Sequence, residues 1–233
     1  FAFADKDIQN VFTVNRLSSG LWDDREESFS AVNDFMGISE ANLGVNKANH
    51  FVKRKIEQEV AINKEGNISE KLTVEYANNR AQTTPPVGDY KNYLRILLPQ
   101  GAKLSSISID GTEQTIEKAV TDPLLYEKKD FVPPNGLEVE ETEEEGKTMF
   151  GFLVIIPGQS SKTVAISYTL PQKPLSSAFS YSLWVFKQPG TEEDPYSFSL
   201  SYPEKFKILK GEKSSFEKTL SEDINFKIDF VRK

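Results

Sequence analysis

The sequence predicts a mainly β protein: an antiparallel β-sandwich, immunoglobulin-like or related, preceded by a short α/β remnant. Three observations predict it. From residue 51 onward apolar and polar residues alternate with a period of two, which turns one side of a strand inward and the other outward. Turn signals built on Gly, Pro and Asn recur about every ten residues, the spacing of short strands in a sandwich. The 16 Phe and 8 Tyr supply rings that favour pleated, half-buried surfaces, while Ala-Glu-Leu-Lys blocks suited to helices are few.

The elements follow in chain order. Residues 1–4 read as the tail of a strand. Asp5 caps a short helix that places Ile8, Val11, Phe12 and Asn15 on one face, and Gly20 stops it. Residues 22–40 are mixed, with a short strand over 29–32 before Asp34. This is the least β-like stretch. Residues 1–50 are therefore assigned to the end of a preceding α/β domain, and 51–233 to the sandwich.

Val52, Ile56, Val60 and Ile62 then alternate with Phe51, Lys53, Lys55, Glu57 and Glu59, although Arg54 and Gln58 fall on the apolar side. Gly66 supplies the turn, and Ile68, Leu72, Val74 and Tyr76 share the next inward face. Residues 51–77 thus predict a two-stranded hairpin. Strands follow over 93–98 and 104–109, the second ended by Asp110-Gly111. Residues 119–136 are irregular. Residues 149–156 are apolar on both faces, as in a central strand. The alternation at 164–170 is clean, and Pro171 and Pro174 mark a sub-domain joint near 171–175. Strands over 179–186, 196–202 and 224–230 close the chain, with Lys187-Gln-Pro-Gly-Thr191 as a turn.

The net charge of −7 leaves no electrostatic footprint for nucleic acid and opposes contact with anionic lipid. Cysteine is absent, which excludes disulfides and thiolate metal sites. The longest apolar run, Phe152-Leu-Val-Ile-Ile156, is too short to span a bilayer, so no membrane insertion is expected of this fragment. The first residue is Phe, which is expected of a processed form or of part of something longer.

Little in the chain points to catalysis. His50 is the single histidine, without the companions a metal site or a triad requires, and no Gly-x-Ser-x-Gly elbow positions a nucleophile. No metal and no cofactor are expected. The run Glu138-Val-Glu-Glu-Thr-Glu-Glu-Glu145 lacks the staggered spacing of a calcium loop and reads as a solvated, mobile hairpin tip. Trp22 and Trp184 could stack on sugar rings, but alternating aromatics more often face a core. The candidate binding residues are Asp34, Asn42, Asn46 and Lys47, which converge on one loop in this reading. Their amide and ammonium donors suit a phosphate or sugar hydroxyl. The structural alternative has the Asn side chains stabilise the turn, Gly44 take positive φ, and Lys47 pair with Asp34.

Several of these segments carry a resemblance. Asp34-Phe35, Ala41-Asn-Leu-Gly-Val-Asn-Lys-Ala48 and Phe51-Val-x-Arg54 resemble a family of bacterial membrane-anchored surface proteins known only as a domain of unknown function. Phe3-Ala-Asp-Lys-Asp-Ile-Gln9 with Gly20, Gly88-Asp-Tyr-Lys-Asn-Tyr-Leu-Arg95 with Leu98-Pro-Gln-Gly101, and Lys187-Gln-Pro-Gly-Thr191 match in the same order. The resemblance implies a longer parent with an amino-terminal membrane helix, and an extracytoplasmic place for this chain as its carboxy-terminal part. The family has no established reaction, so the resemblance implies a location more than a mechanism; the function expected is that of a non-catalytic module that supports a neighbouring domain or binds an envelope component such as a glycan. The family's upstream region is similar to cell-wall glycopolymer phosphotransferases. The alternative is therefore an accessory part of a glycopolymer-transferring enzyme, with Asp34 and Lys47 lining a shared cleft.

Overall fold

The computed structural model describes residues 5–14, 31–44, 46–79, 89–125, 127–174 and 177–233. A helix, α1, covers Lys6–Val14. Asp5 caps it as expected: its Oδ1 accepts the amides of Asp7 and Ile8 at 2.9 and 3.2 Å. The expectations for residues 1–4, Asn15, Gly20 and Trp22 lie outside the described residues.

Among the described residues fifteen strands follow: β1 (Ala31–Asn42), β2 (Val52–Ile62), β3 (Ile68–Asn78), β4 (Tyr90–Pro99), β5 (Lys103–Ile109), β6 (Thr112–Glu113), β7 (Ile116–Lys118), β8 (Leu137–Glu144), β9 (Lys147–Ile156), β10 (Ser160–Thr169), β11 (Ala178–Phe186), β12 (Asp194–Ser201), β13 (Phe206–Gly211), β14 (Ser215–Leu220) and β15 (Ile224–Arg232). They form two sheets. The larger runs β13-β15-β11-β1-β4-β9-β8-β7 and the smaller β14-β12-β2-β3-β10-β5-β6. One apolar core draws on both, with Val32, Met36, Leu94, Phe152 and Tyr181 from the first and Ile56, Leu72, Val74, Ile166 and Phe198 from the second.

The predicted hairpin is present. β2 and β3 pair antiparallel from Val52↔Asn78 to Ile62↔Ile68, and Val52, Ile56, Val60, Leu72, Val74 and Tyr76 are all buried. Gly66 has φ +81°, and Asn63 organises the turn by accepting the amides of Glu65 and Asn67 on its Oδ1. The Asp110-Gly111 and Glu145-Gly146 turns place two successive residues at positive φ, the backbone of a tight hairpin.

Three expectations are corrected. The sheets are mixed, not purely antiparallel, because β1 runs parallel to β11 and β2 parallel to β12. β1, read within the amino-terminal remnant, is hydrogen-bonded on both sides inside the larger sheet, so these sheets incorporate residues 31–42. Its Asn, Asp and Gly content hid it, since β propensity disfavours those residues. The acidic run is a strand and not a loop: residues 137–144 form β8, paired with β7 over 137–139 and with β9 over 140–144, although 141–144 are solvated as expected. Its carboxylates also find donors, with Glu138 accepting the Val120 amide and Glu143 the Thr148 hydroxyl.

β1 changes neighbours along its length. Residues 31–37 pair with β11 and 37–42 with β4. Side-chain amides cover stretches of edge that this leaves open. Gln172 Oε1 accepts the Asn33 amide at 2.8 Å. Gln188 accepts the Glu40 amide at 2.8 Å and donates to the Glu40 carbonyl at 3.1 Å. Each stands in for a missing strand residue.

A second apolar group, Phe35, Leu97 and Met149 with half-buried Trp184 and Phe186, lies on the opposite side of β1, β4, β9 and β11 from the main core. Trp184 therefore belongs to an aromatic cluster of the larger sheet, with the Lys147 ammonium over the neighbouring Phe35 ring at 4.8 Å.

Candidate functional site

Two connections cross between the sheets at the same end of the molecule. Residues 43–51 carry the chain from β1 to β2, and residues 187–193 carry it from β11 to β12. Because both strand pairs are parallel, these crossings run side by side. Between them sits Arg54, one of the two polar residues that the strand pattern left on the apolar side.

Glu40, near the end of β1, is the centre. Its side chain is 3% exposed and accepts from Arg54 Nη1 at 2.8 Å, Tyr90 Oη at 3.1 Å, Asn92 Nδ2 at 3.3 Å and Tyr76 Oη at 2.5 Å. A buried carboxylate is tolerated when paired and fully hydrogen-bonded, and this one is. Asp194 on β12 places Oδ1 3.7 Å from Arg54 Nε. Burial pulls the Arg54 guanidinium down, but Glu40 and Asp194 outweigh it and hold the group above its ordinary value. Burial and then Glu40 push the Tyr76 hydroxyl well up, and the same two causes raise Tyr90. Burial raises the Asp194 carboxyl although Arg54 opposes it. Lys187 is lowered, chiefly by burial, and donates to the Gln188 and Thr191 carbonyls and the Thr191 hydroxyl. A void of about 10 Å³ beside Arg54, Lys187 and Asp194 matches the size of a single water, the partner Arg54 Nε lacks.

The loop between β1 and β2 is built from its own amides. Asn42 Nδ2 donates to the Asn46 carbonyl at 2.9 Å and to Asn46 Oδ1 at 3.0 Å, while Asn42 Oδ1 accepts the Gly44 amide. Asn46 Nδ2 donates to the Asp89 carbonyl at 3.1 Å, and its Oδ1 accepts the Ala48 amide at 2.9 Å. Gly44 does not have the expected positive φ. Close approach requires it instead: a Cβ there would lie 2.8 Å from Asn46 Nδ2 and 3.0 Å from both Asn42 Oδ1 and the Asp89 carbonyl oxygen.

Of the four sequence-predicted residues, the structure brings Asn42 and Asn46 together. Lys47 is adjacent but exposed, and among the described residues it makes no ion pair. Asp34 is elsewhere, 5% exposed in the core, so the expected Asp34–Lys47 pair does not form. Eight residues of extended chain separate it from Asn42, about 26 Å. His50 is exposed on the 3-10 turn Ala48–Phe51. Among the described residues no group of three or more His, Asp or Glu side chains is placed to hold a metal ion.

In the core Asp34 meets Glu70 across the two sheets. Asp34 accepts the Phe35 amide at 2.7 Å and the Tyr181 hydroxyl. Glu70 Oε2 accepts Gln58 Nε2 and Tyr168 Oη, both at 2.8 Å, and Tyr196 donates to Gln58 Oε1 at 2.8 Å. Glu70 Oε1 has no partner other than Asp34. Burial, then the Asp34 charge, raises Glu70 well above the ordinary carboxyl range, and burial raises Asp34 against the pull of its donors. Two adjacent buried carboxyls ionise together only at high cost, and the larger upward shift falls on Glu70, which makes it the favoured holder of a proton.

Arg54, Tyr90, Asn92 and Tyr76 contact the Glu40 carboxylate and Gln188 its backbone, while Asn42 and Asn46 build the adjoining loop. Sequence reasoning singled out the two asparagines and missed Glu40 and Asp194. The available signal was Arg54 falling on the apolar side of β2, which demands a buried anion.

No family model and no curated protein sequence matches the chain. Solved structures resemble it loosely. Native yeast LTA4 hydrolase aligns at 9% identity and a TM-score of 0.41, covering 81% of this chain and 30% of that one. The same hydrolase in complex with bestatin gives 8%, 0.39, 80% and 29%. An M1 zinc metallopeptidase from Deinococcus radiodurans gives 8%, 0.33, 77% and 42%. The chain spans about a third of the yeast hydrolase and under half of the metallopeptidase.

Filling the space at Gly44 offers a direct check on the loop. Gly44→Val is expected to cost about 1–3 kcal/mol, because Asn46 is pinned to Asp89 and cannot yield. Lys47→Ala, at an exposed unpaired ammonium, is expected to change stability by less than about 0.5 kcal/mol. Urea unfolding of both variants measures the difference, and equal losses would contradict the loop's role as a spacer-free lock.

Proposed function

We propose that the chain is a non-catalytic module of a bacterial cell-surface protein, located outside the cytoplasm, that supports a neighbouring part of its protein or binds an envelope component. Its fold belongs to the sandwich class, immunoglobulin-like or related. One observation carries the reading. The polar side chains of the motif segments spend their hydrogen bonds on one another around Glu40, closing two sheet crossings, instead of presenting a nucleophile, base and substrate cleft. Among the described residues no helix is long and apolar enough to cross a membrane, and anchoring through an amino-terminal helix of a longer parent rests on the family resemblance. The alternative as an accessory of a glycopolymer-transferring enzyme placed Asp34 and Lys47 in one cleft, and their separation removes that motive.

Incubation with polyprenyl-phosphate-linked and ester substrates is expected to give no turnover above buffer. Turnover that disappears in His50→Ala or Lys187→Ala, with melting temperature unchanged, would overturn the reading.

A further inference from the structure

The opposite end of the molecule carries a cleft of about 240 Å³, lined by Lys64, Glu65 and Gly66 of the β2–β3 turn, Pro174 and Ser177, Lys205 and Phe206 before and at the start of β13, and Arg232 at the end of β15. Three cations and one carboxylate face it, in a chain whose net charge is −7. Among the described residues none of the three cationic side chains forms an ion pair. Opposite charge elsewhere on this surface is freely available, so their concentration here makes a local positive well in an otherwise acidic field.

The cleft is also held in shape. Lys205 Nζ donates to the Lys64 carbonyl at 2.6 Å and lies 5.3 Å from the centroid of the buried Phe206 ring, which fixes the ammonium at the rim. The Arg232 amide donates to the Ser177 carbonyl at 2.6 Å, and the Lys233 amide to the Lys205 carbonyl at 2.8 Å, tying the end of β15 to both walls. Gly66 and Pro174 lie side by side across the cleft, where a Cβ on Gly66 would make ordinary van der Waals contact with the proline ring at 3.6 Å. Lys205 spends one donor on the Lys64 carbonyl, and among the described residues the Lys64 ammonium and the Arg232 guanidinium form no ion pair; a guanidinium fork suits the paired oxygens of an oxyanion.

We propose that this cleft binds a single phosphate group. Its volume lies below the range of pockets that take a whole drug-sized ligand, so it suits one small, highly charged group. The chain's net charge of −7 disfavours an extended polyanion such as nucleic acid or an anionic bilayer, which would meet far more of the surface than this cleft. The phosphate could be free or borne on a polyol, and both share the chemistry recognised here. The inference is independent of the function proposed above and survives its failure.

Titration calorimetry of the chain at low salt, with inorganic phosphate and separately with glycerol phosphate, tests it. Phosphate is expected to bind and to weaken as salt is added. Lys64→Gln and Arg232→Gln, exposed positions whose melting temperatures should hold, are each expected to weaken it about tenfold, the loss of one charge-assisted contact. Lys210→Gln, on β13 but outside the cleft, should leave it unchanged. Tighter binding of glycerol phosphate assigns a polyol-borne phosphate, and binding of inorganic phosphate alone assigns the free ion. Absence of phosphate binding by the unmodified chain, equal binding by acetate, or undiminished binding in the Lys64→Gln, Arg232→Gln double variant would each overturn the proposal.

Discussion

Glu70→Gln is expected to leave the protein folded and to remove much of a fall in melting temperature that the unmodified chain shows as pH rises from about 5 to about 9. Free carboxyls of these types titrate near 3.8 and 4.5, and both Asp34 and Glu70 are raised in the folded state. A group raised on folding contributes stability that is complete below its unfolded value and lost as pH climbs through the folded one. The window therefore opens above about 4.5 and closes as pH passes the raised folded-state values. The groups facing the pair are Gln58 on β2, Tyr168 on β10, Tyr181 on β11 and Tyr196 on β12. None is cationic, so nothing compensates a second negative charge. The tyrosine hydroxyls are raised well above their ordinary value by burial and do not compete in this window. An amide at position 70 donates permanently to Asp34 while its oxygen keeps the bonds from Gln58 and Tyr168. Melting curves across pH for both chains give a difference curve; parallel curves would show that the pair does not hold a proton.

Removing the cation from the Glu40 network is expected to have an effect of similar size at constant pH. Arg54→Met keeps most of the side chain's bulk but leaves Glu40 as a buried carboxylate without a counter-charge, at a cost of about 3–5 kcal/mol. For a chain of this length that corresponds to a fall in melting temperature of about 10 °C. Glu40→Gln combined with Arg54→Met should recover much of the loss, because no unpaired charge remains. A double-mutant cycle by urea unfolding measures the coupling. A single-variant loss below about 1 kcal/mol, or strict additivity, would mean that the ion pair does not clamp the crossings.

What the sequence made legible follows from where burial is one-sided. β2 and β3 alternate strictly, so hairpin, register and inward face were all readable. β1 was not, because residues 34–38 are buried on both faces while the strand carries Asn33, Asp34 and Gly37, and a segment covered on both faces need not alternate. The parallel pairings were likewise invisible, since partners such as Ala31 and Ser180 share no local signal. For the site, Asn42 and Asn46 were legible through turn chemistry. The buried networks were marked only by polar residues in inward phase: Arg54 and Gln58 on β2, and Glu70, which sits in the same phase as Leu72 and Val74. Such breaks in a pattern point to a buried partner without naming it, and the partners Glu40, Asp194 and Asp34 come from strands remote in sequence.

The late arrival of β11 and β12 has a consequence for synthesis. Each is the parallel neighbour of one of the first two strands, so Ala31 waits for Ser180 and Ile56 waits for Tyr196. Until the ribosome has released that region, β1 and β2 can pair only with β4 and β3, and each exposes a long ladder of unused amides and carbonyls. Nascent or truncated chains ending near residue 174 therefore carry two sticky edges at once, one on each sheet. Folding is bound to be slow, because ring closure over such distances precedes any reward. Export of the whole chain before folding, or a chaperone that shields strands as they emerge, relieves that hazard.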